Sequence, residues 1–78
     1  MVYKNAYLLI NNTRGVSAFP FKINEFEFLD TTNIAREKVA KINITEYLKE
    51  GLNLIEFAPL SRENRNKHII YRVEFDHE

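Results

Sequence analysis

Few side chains in this sequence have the types and spacing that acid–base chemistry needs. Glu25 and Glu27 are two residues apart, which places them on one face of a strand and could mimic the paired carboxylates of a glycoside hydrolase. The simpler interpretation is that Glu27 pairs with Lys22 across a hairpin and that both are solvated. His68 and His77 belong to no recognised catalytic motif, and His77 is close to the last residue given.

Nucleophilic and metal-assisted chemistry are also not indicated. Ser17 and Ser61 lack the glycine-flanked setting of a nucleophile elbow. The segment "DTTN" (30–33) offers the single carboxylate of Asp30, whereas calcium prefers six or more oxygens with several from carboxylates. Turn formation explains that segment better. We therefore predict a protein that is not an enzyme and has no metal or cofactor.

Basic side chains occur in two predicted loops and raise the alternative of nucleic-acid binding. The segment "SRENRNKH" has a local charge of +2, and Arg14 lies in the other loop, "NNTRG". The whole chain, however, has 11 basic and 11 acidic residues, so no global field attracts a polyanion or an anionic membrane. We expect neither nucleic acid nor a membrane as a partner.

The 78 residues predict one domain, residues 1–78, that has no cysteine and so no disulfide. Absence of cysteine fits a reducing compartment such as the cytoplasm, and the first residues do not resemble a signal peptide. A mature secreted form and a domain cut from a longer chain both stay open.

The first predicted strand, residues 2–10, is apolar on both faces. Such a strand is covered on both sides, either within the fold or by a second chain. One face carries Ala6, Leu8 and Ile10, and the other carries Tyr3, Tyr7 and Leu9.

Residues 18–30 predict a hairpin that turns at Asn24 and Glu25. In this register Lys22 lies opposite Glu27, and two apolar pairs, Ile23 with Phe26 and Phe21 with Phe28, share the other face. A tight turn prefers Asn-Gly, so the glutamate is the weak point and a slightly longer loop is the alternative. The flanking segments 11–17 and 31–37 predict loops.

Residues 38–44, 52–58 and 69–75 predict three further strands, and a helical turn interrupts the chain near 45–50. Thr45 is placed as the N-cap of this turn, and Gly51 as the left-handed residue just past its end. The fold class is therefore all-β: a small β-sandwich of about six antiparallel strands.

The segment "INITEYLKEGLNLIEF" (42–57) resembles the galactose-binding-like jelly-roll domains, whose sequences often carry a strand, a pattern like D-I-T-x-x-L-x-x-G-x-N-x-I, and a second strand. Asn43 stands where that family usually has aspartate. A second element, "FKINEF" (21–26), resembles the family's V-x-V-N-G turn at Ile23 and Asn24, with Glu25 in place of glycine. The matching residues of the longer element are Ile44, Thr45, Leu48, Gly51, Asn53 and Ile55.

The resemblance implies a jelly-roll sandwich, and it implies carbohydrate binding through the loops as one function. Polar loop residues are the ligand candidates: Asn11, Asn12, Arg14, Arg62, Asn64 and Arg65. Domains of that family are longer and have about eight or more strands, so this chain would be a short or partial version with uncovered apolar faces.

Uncovered apolar faces predict a non-catalytic interaction or assembly module, self-associating as a homodimer or docked on a larger host assembly. A carbohydrate-binding module is the alternative. The predicted interface residues are Tyr3, Tyr7, Leu9 and Leu54.

Overall fold

The computed structural model describes residues 3–59, 62–64 and 66–77. Within these ranges the chain forms six strands, one short helix and two 3-10 turns. The strands are β1 (Tyr3–Asn11), β2 (Phe21–Ile23), β3 (Phe26–Phe28), β4 (Val39–Asn43), β5 (Ile55–Phe57) and β6 (Ile70–His77). The helix is α1 (Thr32–Arg36), and the 3-10 turns are Thr45–Tyr47 and Arg62–Asn64.

The strands form two antiparallel three-stranded sheets of unequal length. The long sheet has the order β4-β1-β6, and the short sheet has the order β3-β2-β5. β1 and β6 have 9 and 8 residues, whereas every strand of the short sheet has 3. The predicted fold class, an all-β domain of antiparallel strands with one short helical turn near residue 45, is confirmed.

The core lies between the inner faces of the two sheets and follows the period-two alternation of the strands. In β1, Ala6, Leu8 and Ile10 are at most 1% exposed. Phe21 and Ile23 of β2 close the core from the short sheet, and both are buried. The loop and the strand ends complete the cluster with Val16, Phe19, Ala40 and Ile44.

The hairpin of β2 and β3 has the predicted register, with Phe21 opposite Phe28 and Lys22 opposite Glu27. Glu25 was predicted to weaken the turn because it stands where glycine is preferred, but the turn does not require glycine there. Asn24 has φ of +53°, whereas Glu25 is not among the residues with positive φ. A turn of this kind needs a left-handed residue only at its first central position, which asparagine tolerates.

The segment 31–37 was predicted to be a loop, and this is wrong, because Thr32–Arg36 forms α1. The hydroxyl of buried Thr31 accepts a hydrogen bond from the Phe19 amide at 2.9 Å, which fixes the start of the segment against the core. Ile34 and Ala35 then pack on the core from the helix. Tertiary packing therefore overrides the polar composition of "TTNIARE".

A register shift in the long sheet changes the side of Tyr3. The pairing of β1 with β6 is irregular between Tyr3 and Asn5, where a bulge adds one residue to β1. Tyr3 therefore packs against the core and contacts Phe75 with ring centroids 4.9 Å apart. The prediction that Tyr3 shares the outer face with Tyr7 and Leu9 is wrong for this reason.

Thr45 was predicted to be the N-cap of the helical turn, but Ile44 occupies that position and no side-chain cap bond is made. The Thr45 hydroxyl instead accepts a hydrogen bond from the Ala6 amide at 2.9 Å and donates one to Asn43 Oδ1 at 2.6 Å. The Thr45 side chain thus continues the hydrogen bonding between β1 and β4 by one residue beyond the last strand pair, Tyr7 with Asn43. Gly51 has the predicted left-handed backbone, with φ of +85°, in the loop beyond this turn.

We expect Thr45→Val to destabilise the protein by about 1–2 kcal/mol, because valine keeps the side-chain volume but leaves the Ala6 amide without its acceptor. Urea unfolding followed by circular dichroism measures this loss. Thr45→Ser, which retains the hydroxyl, is the matched control and should recover most of the stability. Equal stability for the two variants would contradict the role of the hydroxyl.

Across residues 3–59, 62–64 and 66–77, no helix has the length and apolar character that crossing a membrane requires.

Candidate interaction surfaces

The outer face of the long sheet mixes apolar and charged side chains. Tyr7 and Leu9 are half-buried on this face. Lys41 lies opposite Leu9 on β4, and its ammonium nitrogen is 4.3 Å from the centroid of the Tyr7 ring. Arg72 lies opposite Leu9 on β6. Long basic side chains can cover apolar neighbours with their methylene stems, so the central part of this face is partly covered by its own chain.

The outer face of the long sheet is more apolar around Asn11, the last residue of β1. Val39 and Ile70, the partners of Asn11 on either side, are 64% and 62% exposed. A shallow recess of about 290 Å³ lies here. Its lining consists of Leu9, Ile10, Asn11, Val39, Ile70, Tyr71 and Arg72.

A row of aromatic side chains follows the inner side of β6 and reaches the surface. Tyr71 and Phe75 lie opposite the buried Ile10 and Ala6, yet they are 46% and 47% exposed. The short sheet covers only part of β6, where Phe57 contacts Tyr71 with ring centroids 4.6 Å apart. We call Tyr3, Phe57, Tyr71 and Phe75 the aromatic row.

Further exposed apolar side chains occur in and near the β2–β3 turn. Leu52, Leu54 and Phe26 are 90%, 56% and 52% exposed. The amide of Asn24 donates a hydrogen bond to the Leu54 carbonyl at 2.8 Å, which places the segment that carries both leucines next to the turn. Leu54, a predicted interface residue, is thus at the surface.

The predicted ligand residues are not all available to a ligand. Asn12 is 2% exposed, and its amide group is used internally: it donates to the carbonyls of Val16 and Ala35 and accepts from the Val16 amide. We therefore remove Asn12 from the candidate site. Asn11 is exposed and accepts a bond from the Thr13 amide at 3.2 Å.

The two basic loops do approach each other. Arg14 is exposed, and the Lys67 ammonium donates a hydrogen bond to the neighbouring Gly15 carbonyl at 3.2 Å. Arg62 is exposed as well. The predictions for Arg65 and for the side chain of Asn64 lie outside the part of the chain that the structure describes.

The candidate acid–base residues lie in ordinary structural settings. Glu27 and Glu56 flank Lys22 on the outer face of the short sheet, in register on either side. Asp30 accepts a bond from the Thr32 amide at 3.4 Å, which is a local turn contact ahead of α1. Among the residues that the structure covers, no group of three or more His, Asp and Glu side chains is placed to share a metal ion.

Sequence reasoning missed the exposure of Tyr71, Phe75, Val39 and Ile70. The period-two spacing of Tyr71, Val73 and Phe75 in the last predicted strand favours a core position for Tyr71 and Phe75. The sequence carries no clear signal of this exposure, because the hairpin predicted over 18–30 leaves room for longer strands. In the structure β2 and β3 have three residues each, which is too few to cover the eight-residue β6 in the other sheet.

Comparison with known proteins adds no parallel to this geometry, since no family model, curated protein or solved structure matches the chain. The resemblance to galactose-binding-like domains therefore stays a prediction.

Proposed function

We propose that this protein is a non-catalytic interaction module that associates with protein, either with itself or with a larger assembly, through its exposed apolar side chains. One observation carries the proposal: large apolar side chains on both sheets and on the connecting loop are 46–90% exposed. They include Leu29, Val39, Leu52 and Leu54 as well as the exposed members of the aromatic row.

The grouping of these side chains favours a binding partner over the alternative that they are exposed by chance. Single exposed apolar residues are normal on a small domain, whereas grouped ones mark contact sites. Here they are grouped: Val39 and Ile70 flank Asn11, Tyr71 and Phe75 follow one strand, and the leucines lie beside the turn. Aromatic side chains are also enriched where proteins contact each other.

A photo-crosslinking amino acid placed in turn at positions 54, 70 and 75 tests the proposal in cells that produce the full chain. We expect adducts of defined mass from these positions, either with the chain itself or with one host protein. Position 56, on the charged outer face of the short sheet, is the matched control and should give none. Sedimentation of the purified protein over a concentration range then separates self-association from host binding.

A monomer of 9.3 kDa at every concentration, together with adducts no different from those at position 56, would contradict the proposal.

Carbohydrate binding is the second candidate, and the recess at the end of β1 favours it. Its volume of about 290 Å³ is close to the lower limit for a small-ligand site, and its lining combines the polar Asn11 and Arg72 with the apolar Val39 and Ile70. Polar groups that bond to hydroxyls, beside an apolar surface, are what a small sugar site needs. Saturable binding on a glycan array that is lost in Asn11→Ala would support this function over association.

A further inference from the structure

β6 is the edge strand of the long sheet, and its far side has no strand partner among the residues described. It has eight residues and contains neither proline nor glycine, so its backbone can accept another strand along its length. Unpaired edges of this kind are templates for strand addition.

The backbone groups that point outward from this edge can be identified. The backbone amide and carbonyl of Ala6 in β1 both form hydrogen bonds on the β4 side of the strand, with Thr45 and Ile44. The backbone amide of Asn12 also points to that side and donates to the Lys38 carbonyl. Because the direction alternates along a strand, Tyr7 and Leu9 bond toward β6.

Glu74 and Arg72, the register partners of Tyr7 and Leu9, therefore bond back toward β1. The outward amides and carbonyls of β6 belong to Tyr71, Val73 and Phe75.

We propose that two copies of this chain pair through β6 in antiparallel fashion about a two-fold axis at Val73, which joins the two long sheets into one sheet of six strands. This inference rests on the proposed function and names its partner as a second copy. The outward groups of Val73 would bond to those of Val73 in the second copy, and Tyr71 would lie opposite Phe75 of that copy.

The charges of β6 select this register over its neighbours. About Val73, each Arg72 lies opposite Glu74 of the other copy, so the two chains form an alternating square of four charges. The Arg72 and Glu74 side chains of one copy already form an ion pair at 2.7 Å, on the outer face where the square would form. Moving the axis to Arg72 or to Glu74 would place like charges opposite each other, which is unfavourable.

Registers that pair an odd-numbered residue of one β6 with an even-numbered residue of the other, such as Tyr71 with Arg72, are also excluded. They would place outward backbone groups of one strand against inward groups of the other, and apolar side chains against charged ones.

The aromatic row gains its missing cover in the same arrangement. Tyr71 and Phe75 are on one face of β6 and about half exposed. In the dimer, Tyr71 of each copy would pair with Phe75 of the other copy, and aromatic cross-strand pairs are favourable. The rings would then continue from Phe57 and Tyr71 of one copy to Phe75 and Tyr3 of the other.

Charge substitutions test the pairing directly, because the register makes a complementation prediction. Arg72→Glu or Glu74→Arg alone places like charges opposite each other, and we expect each to weaken the dimer by about tenfold or more. The two single variants, when mixed, have opposite charges at every pair and should form a mixed dimer. The double variant R72E/E74R should dimerise as the wild type does.

Lys38→Glu makes the same charge change as Arg72→Glu, but next to β4 on the opposite edge of the sheet; it is the matched control for that variant and should leave the dimer unchanged. Sedimentation gives the masses, and circular dichroism confirms that each variant is folded.

Amide hydrogen exchange on the wild type gives a second readout that needs no variant. The amides of Tyr71, Val73 and Phe75 should be protected at concentrations where the dimer forms and exposed on dilution, whereas those of Arg72 and Glu74 should be protected in both.

A dimer that ignores both single substitutions, with no preference for the mixture and no alternating protection, would overturn β6 pairing and leave the interaction function standing. A wild-type monomer without adducts would remove both.

Discussion

Replacing Asn12 with alanine is expected to lower the free energy of unfolding by about 3–4 kcal/mol. The Asn12 side chain is 2% exposed and makes three hydrogen bonds, to the Val16 carbonyl, the Val16 amide and the Ala35 carbonyl. Alanine leaves these backbone groups unpaired in a site with little access to water, at about 1 kcal/mol or more each. A chain of 78 residues has a total stability of roughly 4–12 kcal/mol, so much of it would be lost.

Asn11 provides a matched control one residue away. It is exposed and makes one local bond at 3.2 Å, so Asn11→Ala should change stability by less than about 0.5 kcal/mol. Urea unfolding of the two variants gives the comparison. Similar losses for both, or a stable Asn12→Ala, would contradict the assignment of Asn12 as the residue that ties the first loop to α1.

Replacing Asn24 with alanine is expected to cost about 3 kcal/mol. Its side-chain amide donates to the Tyr47 carbonyl at 2.8 Å and to Asn53 Oδ1 at 2.9 Å, and its oxygen accepts from the Leu54 amide at 3.0 Å. Its backbone has φ of +53°, where alanine is strained by about 1 kcal/mol. The site is half-buried, so water would replace part of the lost bonding.

Asn24→Gly separates the two contributions, because glycine tolerates the left-handed backbone but makes no side-chain bonds. We expect it to lose about 2 kcal/mol, which is less than the alanine variant. The midpoint of urea unfolding measures both. If glycine restored full stability, the side-chain bonds of Asn24 would contribute nothing and only the backbone conformation would matter.

The strands, the hairpin register and the grouping of Ala6, Leu8 and Ile10 on one face of β1 could be predicted from the sequence, because each follows from a short-range pattern. The period of two groups these three residues, although it does not say which face of this strand is the core, and the Lys22–Glu27 pair favours one register of the hairpin. Elements predicted from such local patterns form in the structure where no contact between distant residues opposes them.

The errors come from contacts between distant residues. No local pattern indicates that β1 gains an extra residue between Tyr3 and Asn5, because this bulge depends on pairing with β6. In the same way, the Thr45 hydroxyl looks like a helix cap in the sequence and is used by the Ala6 amide 39 residues earlier. Asn12 looks like a solvated loop residue and is buried by α1.

The two sequence elements that resembled galactose-binding-like domains meet in the structure. Asn24 of "FKINEF" and Asn53 of "INITEYLKEGLNLIEF" are joined side chain to side chain at 2.9 Å. Asn53 also bonds to the amide and the carbonyl of Lys49 and so holds the loop that contains Gly51. These asparagines therefore connect the turn to the loop, and their presence in the sequence is explained by architecture without any ligand.

The unequal sheets have a consequence for how the native protein opens. Each ladder of the short sheet has only three residue pairs, and both ladders depend on the central strand β2, so the sheet has little backbone pairing of its own to hold it together. The short sheet should therefore detach as one cooperative unit at a free energy below that of global unfolding, while β1 stays between its two long partners. A protease or a competing chain would then reach Phe21 and Ile23 well before it reached Leu8.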